Sequence, residues 1–339
     1  MRVMATTMLP PAELLPDVLP SERLTAKGVA RPDVRVDLRR IPNARNTVTV
    51  ISALLQTLGV VVWAGWMGTW WAYLLAFLIM GRGHCQLNIL GHESAHRLLF
   101  SRRRINDFVG RWLFAYPALQ GMLSYRRVHM AHHRDEMGPE EPDAGLYDGY
   151  PISPDSLRRK LTRDLFFISG YKNLRQLAHA ARKPGNGGRE ARQVVAVQAV
   201  MLAAALAWGR PLLYPLCWLA PWMSLWKVSN RLRAIAEHGG MARSDDRRET
   251  THVIRQRRLA RFLFVPYNTG WHLAHHVDIG VPFRNLPRFH AELVGSGWVV
   301  PDLEYPSYLA LWRKLASGER RARAARGERI ETAGSFLPG

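Results

Sequence analysis

Nine of the thirteen histidines in this chain are spaced in a way that suits metal binding. Eight of them form three short clusters, and the ninth, His238, stands alone in Ala-Glu-His-Gly-Gly. Residues three and four apart share one face of a helix, so each cluster would direct its imidazole rings to one point. Nine such nitrogen ligands are enough for two metal ions with four or five ligands each. The clusters are His92 and His96; His129, His132 and His133; and His272, His275 and His276.

Two other functions are compatible with part of this pattern. His92, Glu93 and His96 match the His-Glu-x-x-His motif of zinc proteases, in which two histidines hold zinc and the glutamate is the base. A protease would leave six further clustered histidines unused, because zinc takes about four ligands. The other alternative is a membrane protein that stores or senses metal, which would consume neither oxygen nor reductant.

The ligand chemistry favours iron. Cys85 and Cys217 are the only cysteines, far apart in the sequence, so neither a disulfide framework nor a thiolate metal site is available. Imidazole suits iron, copper, nickel and zinc, and non-haem iron with open positions activates dioxygen. A pair of irons can take up the electrons needed to cleave the O–O bond and attack an unactivated C–H bond. We therefore expect two iron ions as cofactor and O2 as co-substrate.

Two long apolar stretches predict that the chain crosses a membrane. Residues 47–80 carry no charged side chain, and between Gln193 and Lys227 the only charge is Arg210. About 20 apolar residues cross the hydrocarbon core, and the tryptophans in each stretch are typical of the membrane boundary. The sequence therefore predicts two helical hairpins in an all-α integral membrane protein. The four transmembrane helices would span about 45–64, 69–90, 191–208 and 211–228.

This topology would bring both termini and all nine histidines to one side of the membrane. Of the 47 lysines and arginines, Arg210 alone would lie on the opposite side. That is the positive-inside asymmetry of a multi-pass protein of the inner (cytoplasmic) membrane, with its active site on the cytoplasmic side. The net charge of +20 then belongs to a cytoplasmic face. No soluble basic domain with interleaved aromatic residues indicates a nucleic-acid partner.

The clusters and their neighbours resemble the three histidine boxes of the membrane fatty acid desaturase and hydroxylase superfamily. The resemblance covers roughly residues 45–295. It implies four spanning helices under a cytoplasmic helical cap that holds a di-iron centre, with His238 as the lone ligand before the third box. It also implies that Asn268 holds a water near one iron. The similar segments are Gly91–His96, His129–His133 and Asn268–His276, followed by the proline-bearing run Gly280–His290.

The same resemblance implies O2-dependent oxidation of a C–H bond in a long alkyl chain, most directly the introduction of a double bond into a fatty acyl chain. Hydroxylation of an acyl chain or alkane is the alternative, because hydroxylases share these boxes. The sequence contains no cytochrome b5-like, ferredoxin-like or dinucleotide-binding motif. We therefore expect an external electron donor of the ferredoxin or rubredoxin type. It would dock on a basic surface that includes Arg126, Arg127, Arg247 and Arg248.

Carboxylates near the clusters are candidates for a supporting role. Ligating histidines usually donate their second ring N–H to a carboxylate or carbonyl oxygen. We expect Glu93, Glu237 or Asp143 to accept such a bond. The predicted organisation is a cytoplasmic N-terminal segment over 1–44, a membrane desaturase-like domain over 45–295 and a basic C-terminal tail over 296–339.

Overall fold

The computed structural model describes residues 8–17 and 21–319, and most of this part of the chain is helical. The strands within these ranges are β1 (Val253–Ile254) and β2 (Glu304–Tyr305), which pair in parallel. The all-α prediction is therefore confirmed, with this short ladder as an addition. The helices are α1 (Pro32–Leu38), α2 (Asn43–Met67), α3 (Trp70–Ala95), α4 (Arg103–Val109), α5 (Met122–Arg134), α6 (Ala144–Tyr147), α7 (Pro154–Leu165), α8 (Ile168–Arg182), α9 (Gly185–Ala207), α10 (Ala220–Met223), α11 (Leu225–His238), α12 (Arg247–Thr250), α13 (Arg258–Leu263), α14 (His272–Val277), α15 (Leu286–Gly295) and α16 (Tyr308–Leu315).

The chain divides into two compact units. The histidine unit consists of Met1–Arg40, Val128–Arg159 and Arg231–Gly339. The hairpin unit consists of Ile41–Arg127 and Lys160–Asn230. Both units are assembled from segments that are distant in sequence.

In the hairpin unit, α2 and α3 form the first predicted hairpin. α2 ends at Gly68, whose φ of 65° is a left-handed conformation that glycine adopts without strain. α3 begins two residues later, after Thr69. The turn therefore lies where the sequence placed it, and α3 continues to the first histidine cluster.

The fourth predicted span, 211–228, differs from a regular helix. It contains a wide π-helical turn over Pro215–Leu219, then α10, and it breaks at Ser224 before α11 begins. Pro215 and Pro221 have no amide hydrogen to donate to the preceding turn, which explains the irregular bonding.

Two helical stretches in the described ranges are long and apolar enough to cross a membrane: Pro32–Met67 and Gly185–Ala207. α3 does not meet this criterion, because Arg82, His84 and Gln86 interrupt its apolar run. Two of the four predicted spans are thus supported by length and composition. The four-span topology stays a prediction.

Both apolar stretches expose large side chains. Leu55 and Val62 of α2 are 68% and 55% exposed, and Val200 of α9 is 68% exposed. Aliphatic side chains of this size are usually buried in water-soluble domains. A long row of them on a helix surface marks a face that contacts lipid or another apolar partner.

The histidine unit has its own apolar core, and both predicted terminal segments contribute to it. Met8 is buried in this core, as are Leu311 and Leu315 of α16. The predicted division of the chain at residue 296 stays a prediction. Residues 296–319 are folded, because α16 buries one apolar face and β2 pairs with β1. Residues 320–339 lie outside the described ranges.

Candidate metal centre

Three helices carry the clustered histidines of the histidine unit. α5 carries the second cluster in its last turns, α11 ends at His238, and α14 is formed by the third cluster itself. All seven histidines are buried, with at most 8% of each residue exposed. They are His129, His132, His133, His238, His272, His275 and His276.

Three of these rings form a first group. The Nε2 atom of His133 lies 3.0 Å from Nε2 of His129 and 3.1 Å from Nε2 of His275. His129 and His133 are four residues apart on α5, so their approach follows from helix geometry. His275 comes from α14, so rings of the second and third clusters meet in this group.

Four rings form a second group beside the first. The Nε2 atom of His272 lies 3.1 Å from Nε2 of His238 and 2.9 Å from Nε2 of His276. The ring centroid of His132 is 4.9 Å from that of His238 and 5.1 Å from that of His276. The two groups are neighbours, since the rings of His133 and His276 have centroids 4.4 Å apart.

The hydrogen bonds of the second group determine which ring nitrogens are available to a metal. Nδ1 of His238 donates to the carbonyl of Thr250 at 2.9 Å, and Nδ1 of His132 donates to Glu141 at 2.9 Å. A neutral imidazole carries one proton, so the Nε2 atoms of these rings present lone pairs. Burial lowers the pKa of His238 and of His272 well below 6.5, which keeps both rings neutral.

Two Nε2 lone pairs about 3 Å apart repel each other unless a metal ion or a proton lies between them. With metal–nitrogen bonds of about 2.1 Å, two ligands at right angles have nitrogens about 3 Å apart. The separations of 2.9–3.1 Å therefore fit a metal ion in each group. The donor set contains imidazoles and carboxylates without thiolates, which suits iron among the transition metals.

Carboxylates stand behind the second group and hold its outward nitrogens. Glu141 accepts from His132, and Glu136 contacts Nδ1 of His276. Glu136 is itself fixed by Arg247 at 2.5 Å and by the hydroxyl of Thr250 at 2.6 Å. Glu136 and Glu141 are not among the carboxylates that were predicted to accept such a bond. Both directly follow the second cluster, but the partner of Glu136 belongs to the third cluster, a contact that sequence proximity cannot reveal.

Among the carboxylates predicted from the sequence to accept from a histidine ring nitrogen, Glu237 lies near His272. Its Oε1 is 3.5 Å from Nδ1 of His272, and burial raises its pKa to about 6. Asp143 lies within 4.8 Å of the ligand atoms of His132 and Glu141. Burial also raises the pKa of Asp143. The carboxylate hydrogen-bonded to His132 Nδ1 is Glu141, and the orienting role of Asp143 stays a prediction.

The other candidates predicted from the sequence are His92, His96, Glu93 and Asn268. His92 and His96 end α3 in the hairpin unit, with ring centroids 4.7 Å apart, and Glu93 between them is buried. Asn268 in the histidine unit has a φ of 62°, and its side-chain oxygen accepts a bond from Arg261 at 2.9 Å. Its amide is thus engaged by a protein side chain.

Comparison with known proteins agrees with this geometry. Residues 68–305 match the family described as fatty acid desaturase. A dihydrorhizobitoxine desaturase from Bradyrhizobium elkanii is 25% identical over 234 residues, which is 63% of this chain and 66% of that protein. An sn-1 oleoyl-lipid 12-desaturase from Synechocystis sp. is 24% identical over 320 residues, or 85% and 88% of the two chains. One from Anabaena variabilis is 28% identical over 109 residues, or 32% and 29%.

The extent of these matches differs among the relatives. This chain spans just under two thirds of the Bradyrhizobium protein and less than a third of the Anabaena protein, but most of the Synechocystis protein. The family match covers well over half of the chain and includes all nine histidines. The chain belongs to the fatty acid desaturase family.

Proposed function

We propose that this protein is an O2-dependent oxidoreductase that introduces a double bond into a fatty acyl chain. It would use two iron ions as its cofactor and electrons from an external ferredoxin or rubredoxin. The observation that carries the proposal is the convergence of seven buried histidine rings into two adjacent groups in the histidine unit. Such a di-metal arrangement in a desaturase family member supports redox chemistry over structural zinc.

The proposed ligands are the nine histidines predicted from the sequence. For the seven in the histidine unit, the support is the close approach of the buried rings, together with the lowered pKa values of His238 and His272. For His92 and His96, the support is their helical spacing at the end of α3 and their place within the family match. Iron, when bound, supplies the activation of O2 and the removal of hydrogen from the acyl chain.

The protein's own groups have three roles in this scheme. Glu136, Glu141 and Glu237 would hold the Nδ1 protons of their histidines, so that the Nε2 lone pairs stay directed at the metals. Burial would exclude water from the oxidising centre. The carbonyl of Thr250 performs the same orienting service for His238.

Desaturation is favoured over hydroxylation by the names of the relatives, which act as lipid or dihydrorhizobitoxine desaturases. We propose an acyl lipid or acyl thioester as substrate, because the exposed apolar helices suit a protein whose substrate is in a bilayer. The proposed location is the inner membrane, with several crossings and a cytoplasmic active site. The positive-inside charge distribution supports this orientation.

Lipid analysis of a host that expresses the chain tests the reaction. We expect new double bonds in acyl chains, and none from the variant with His132→Ala and His276→Ala. Hydroxylated chains instead would identify the alternative reaction. Purified protein should contain close to two irons and should consume oxygen when given reduced ferredoxin and an acyl substrate. Bound metal without oxygen uptake would favour storage or sensing, and bound zinc with peptide cleavage would favour a protease.

A further inference from the structure

Asp278 follows the third histidine cluster directly and is almost completely buried. It ends α14, two residues after His276, and 1% of its side chain is exposed. A buried carboxylate has to be paired, because its desolvation is costly. Its partners come from a part of the chain more than 230 residues away.

Both oxygens of Asp278 are held by α1. Oδ1 accepts from Nη2 of Arg39 at 2.5 Å, and Oδ2 accepts from Nε of Arg39 at 3.2 Å and from Nε of Arg35 at 3.0 Å. Arg35 and Arg39 are four residues apart and therefore lie on one face of the helix. Oδ1 also accepts the amide of Gly280 at 3.0 Å. Two-point contact between a guanidinium and a carboxylate fixes orientation as well as distance.

Two further features connect α1 to the same loop. The side-chain amide of Asn285 donates to the carbonyl of Leu38 at 2.7 Å. Gly280 lies so close to Arg39 that a Cβ atom there would be 2.7 Å from Nε and Cζ of the guanidinium. An alanine at this position would force the end of the Arg39 side chain to shift. The loop after α14 is shaped around the arginine.

We infer that α1 is a positioning clamp for the third histidine cluster, which acts through Asp278. α14 has only six residues, too few to be stable as an isolated helix. Its three imidazoles nevertheless have to keep a fixed direction. Asp278 caps the short helix on one side and is anchored to α1 on the other, so the N-terminal segment determines how firmly His272, His275 and His276 are held. Asp278, Arg35 and Arg39 are positioning residues and not ligands.

The effect of the clamp on metal binding rests on the proposed function, but the clamp itself does not. Its first test therefore does not require metal. In the full-length chain, Asp278→Asn and Arg39→Gln should each increase amide hydrogen exchange over residues 272–280 at least tenfold. The double variant should exchange no faster than the singles, because the two side chains form one interaction.

A matched ion pair provides the control. Arg23 also reaches from the N-terminal segment to α15, where it makes two contacts of 2.6 and 2.7 Å with Glu292. Arg23→Gln or Glu292→Gln removes an equally distant pair that does not touch the third cluster. Exchange over 272–280 should stay unchanged in these variants. Equal exchange in the Asp278 and Glu292 variants would overturn the clamp.

The second measurement is metal release. Metal should leave the Asp278→Asn protein at least tenfold faster in the presence of a chelator, a change in line with the loss of groups that orient metal ligands. If Asp278→Asn does not fold, the same two measurements are made on Gly280→Ala. This substitution displaces the Arg39 guanidinium and leaves the charges of Asp278 and Arg39 in place. Unchanged exchange and metal release in a folded Gly280→Ala protein would contradict the clamp. A wild-type protein that binds no metal would contradict the proposed function and not the clamp. The hydrogen-exchange measurement would still test the clamp, because it does not require metal.

Discussion

The two units depart from the usual arrangement of a globular protein in opposite directions. The histidine unit buries seven imidazoles together with the carboxylates of Glu136, Glu141 and Glu237. The hairpin unit exposes large apolar residues on its longest helices, including Leu55 and Trp70, which are 68% and 78% exposed. In most soluble domains polar groups of the first kind lie outside and apolar groups of the second kind lie inside.

Each departure indicates a partner of a different kind. Buried ionisable groups require pairing or metal coordination, and the histidines here lie in groups whose nitrogens are close enough together to hold a metal ion. Exposed aliphatic rows require an apolar environment. The comparison teaches that the two anomalies can be tested separately: a change in one unit should affect metal, and a change in the other should affect membrane association.

The largest expected effect is the removal of a ligand. His132→Ala or His276→Ala should lower the iron content and reduce turnover below detection, because a ring at the centre of the second group is lost. Iron per chain and oxygen uptake measure this. His179→Ala is the control, because His179 is exposed and belongs to no cluster. Retention of two irons and full activity in either ligand variant would contradict the assignment.

A charge placed on the exposed face of the hairpin unit should act on membrane association instead. Leu55→Glu puts a carboxylate in the middle of α2, at a cost of about 2.5–3.5 kcal/mol for a charged group at a membrane centre. Val36→Glu in the histidine unit is the matched control, because Val36 is 76% exposed on α1. The membrane-bound fraction after an alkaline wash should fall for Leu55→Glu alone. Equal behaviour of both variants would remove the distinction between the units.

The next expected effect concerns the carboxylates that contact the histidines of the histidine unit. Glu141→Gln and Glu136→Gln should weaken metal retention about 10- to 100-fold, since each loses a charged acceptor for a ligand's N–H. Asp143→Asn should have a smaller effect, because Asp143 is not the nearest acceptor of His132. Chelator competition measures the order. An equal or larger effect for Asp143→Asn would reverse the two assignments.

The success of sequence analysis also differs between the units. The first hairpin could be predicted because its signals are local: an apolar run, a glycine at the turn and tryptophans beside it. The π-helical turn near Pro215 and the break at Ser224 could not, since such irregularities depend on packing as well as on proline. The histidine clusters were identified because helical spacing places ligands on one face.

Contacts between distant segments account for what the sequence did not reveal. Glu136 lies beside the second cluster in sequence but contacts His276, and Asp278 is held by arginines of the N-terminal segment. α16 lies within the stretch that was predicted as a basic tail, and Leu311 and Leu315 give it a buried face. For Glu136 and Asp278, the contacting residue is more than a hundred positions away in the sequence. For α16, the buried face is not evident from the composition of the segment.

The buried histidines also predict a pH dependence of the metal-free protein. Burial lowers the pKa of His252 from 6.5 to about 4, although its Nε2 donates to the carbonyl of Gly239 at 2.8 Å. A histidine with a lowered pKa in the folded state stabilises the fold fully above pH 6.5, and this contribution is lost as the pH falls towards 4. Denaturant unfolding should therefore become easier over this interval. His252→Gln, which can still donate to Gly239, should reduce the slope, and an unchanged slope would exclude His252 as the cause.

The smallest expected effect concerns the electron donor. Three of the arginines expected to form its docking surface are engaged in the structure: Arg126 with Asp107, Arg247 with Glu136, and Arg248 with Asp246. Arg127 and Arg134 remain exposed. Small ferredoxins and rubredoxins are typically acidic, and opposite charges accelerate encounter at low salt.

This leads to a test of Arg127 and Arg134 that does not disturb the ion pairs. Arg127→Glu and Arg134→Glu should raise the KM for the donor several-fold at low salt and leave kcat at saturating donor nearly unchanged. The difference from the wild type should fade at 0.1 M salt and above, where screening reduces the range of the field to about 10 Å. Arg126→Glu should instead lower the stability of the fold, because Arg126 also donates to the carbonyls of Ser94 and Ala95. If the KM for the donor changes neither with salt nor in these variants, the exposed arginines contact lipid headgroups and not the donor.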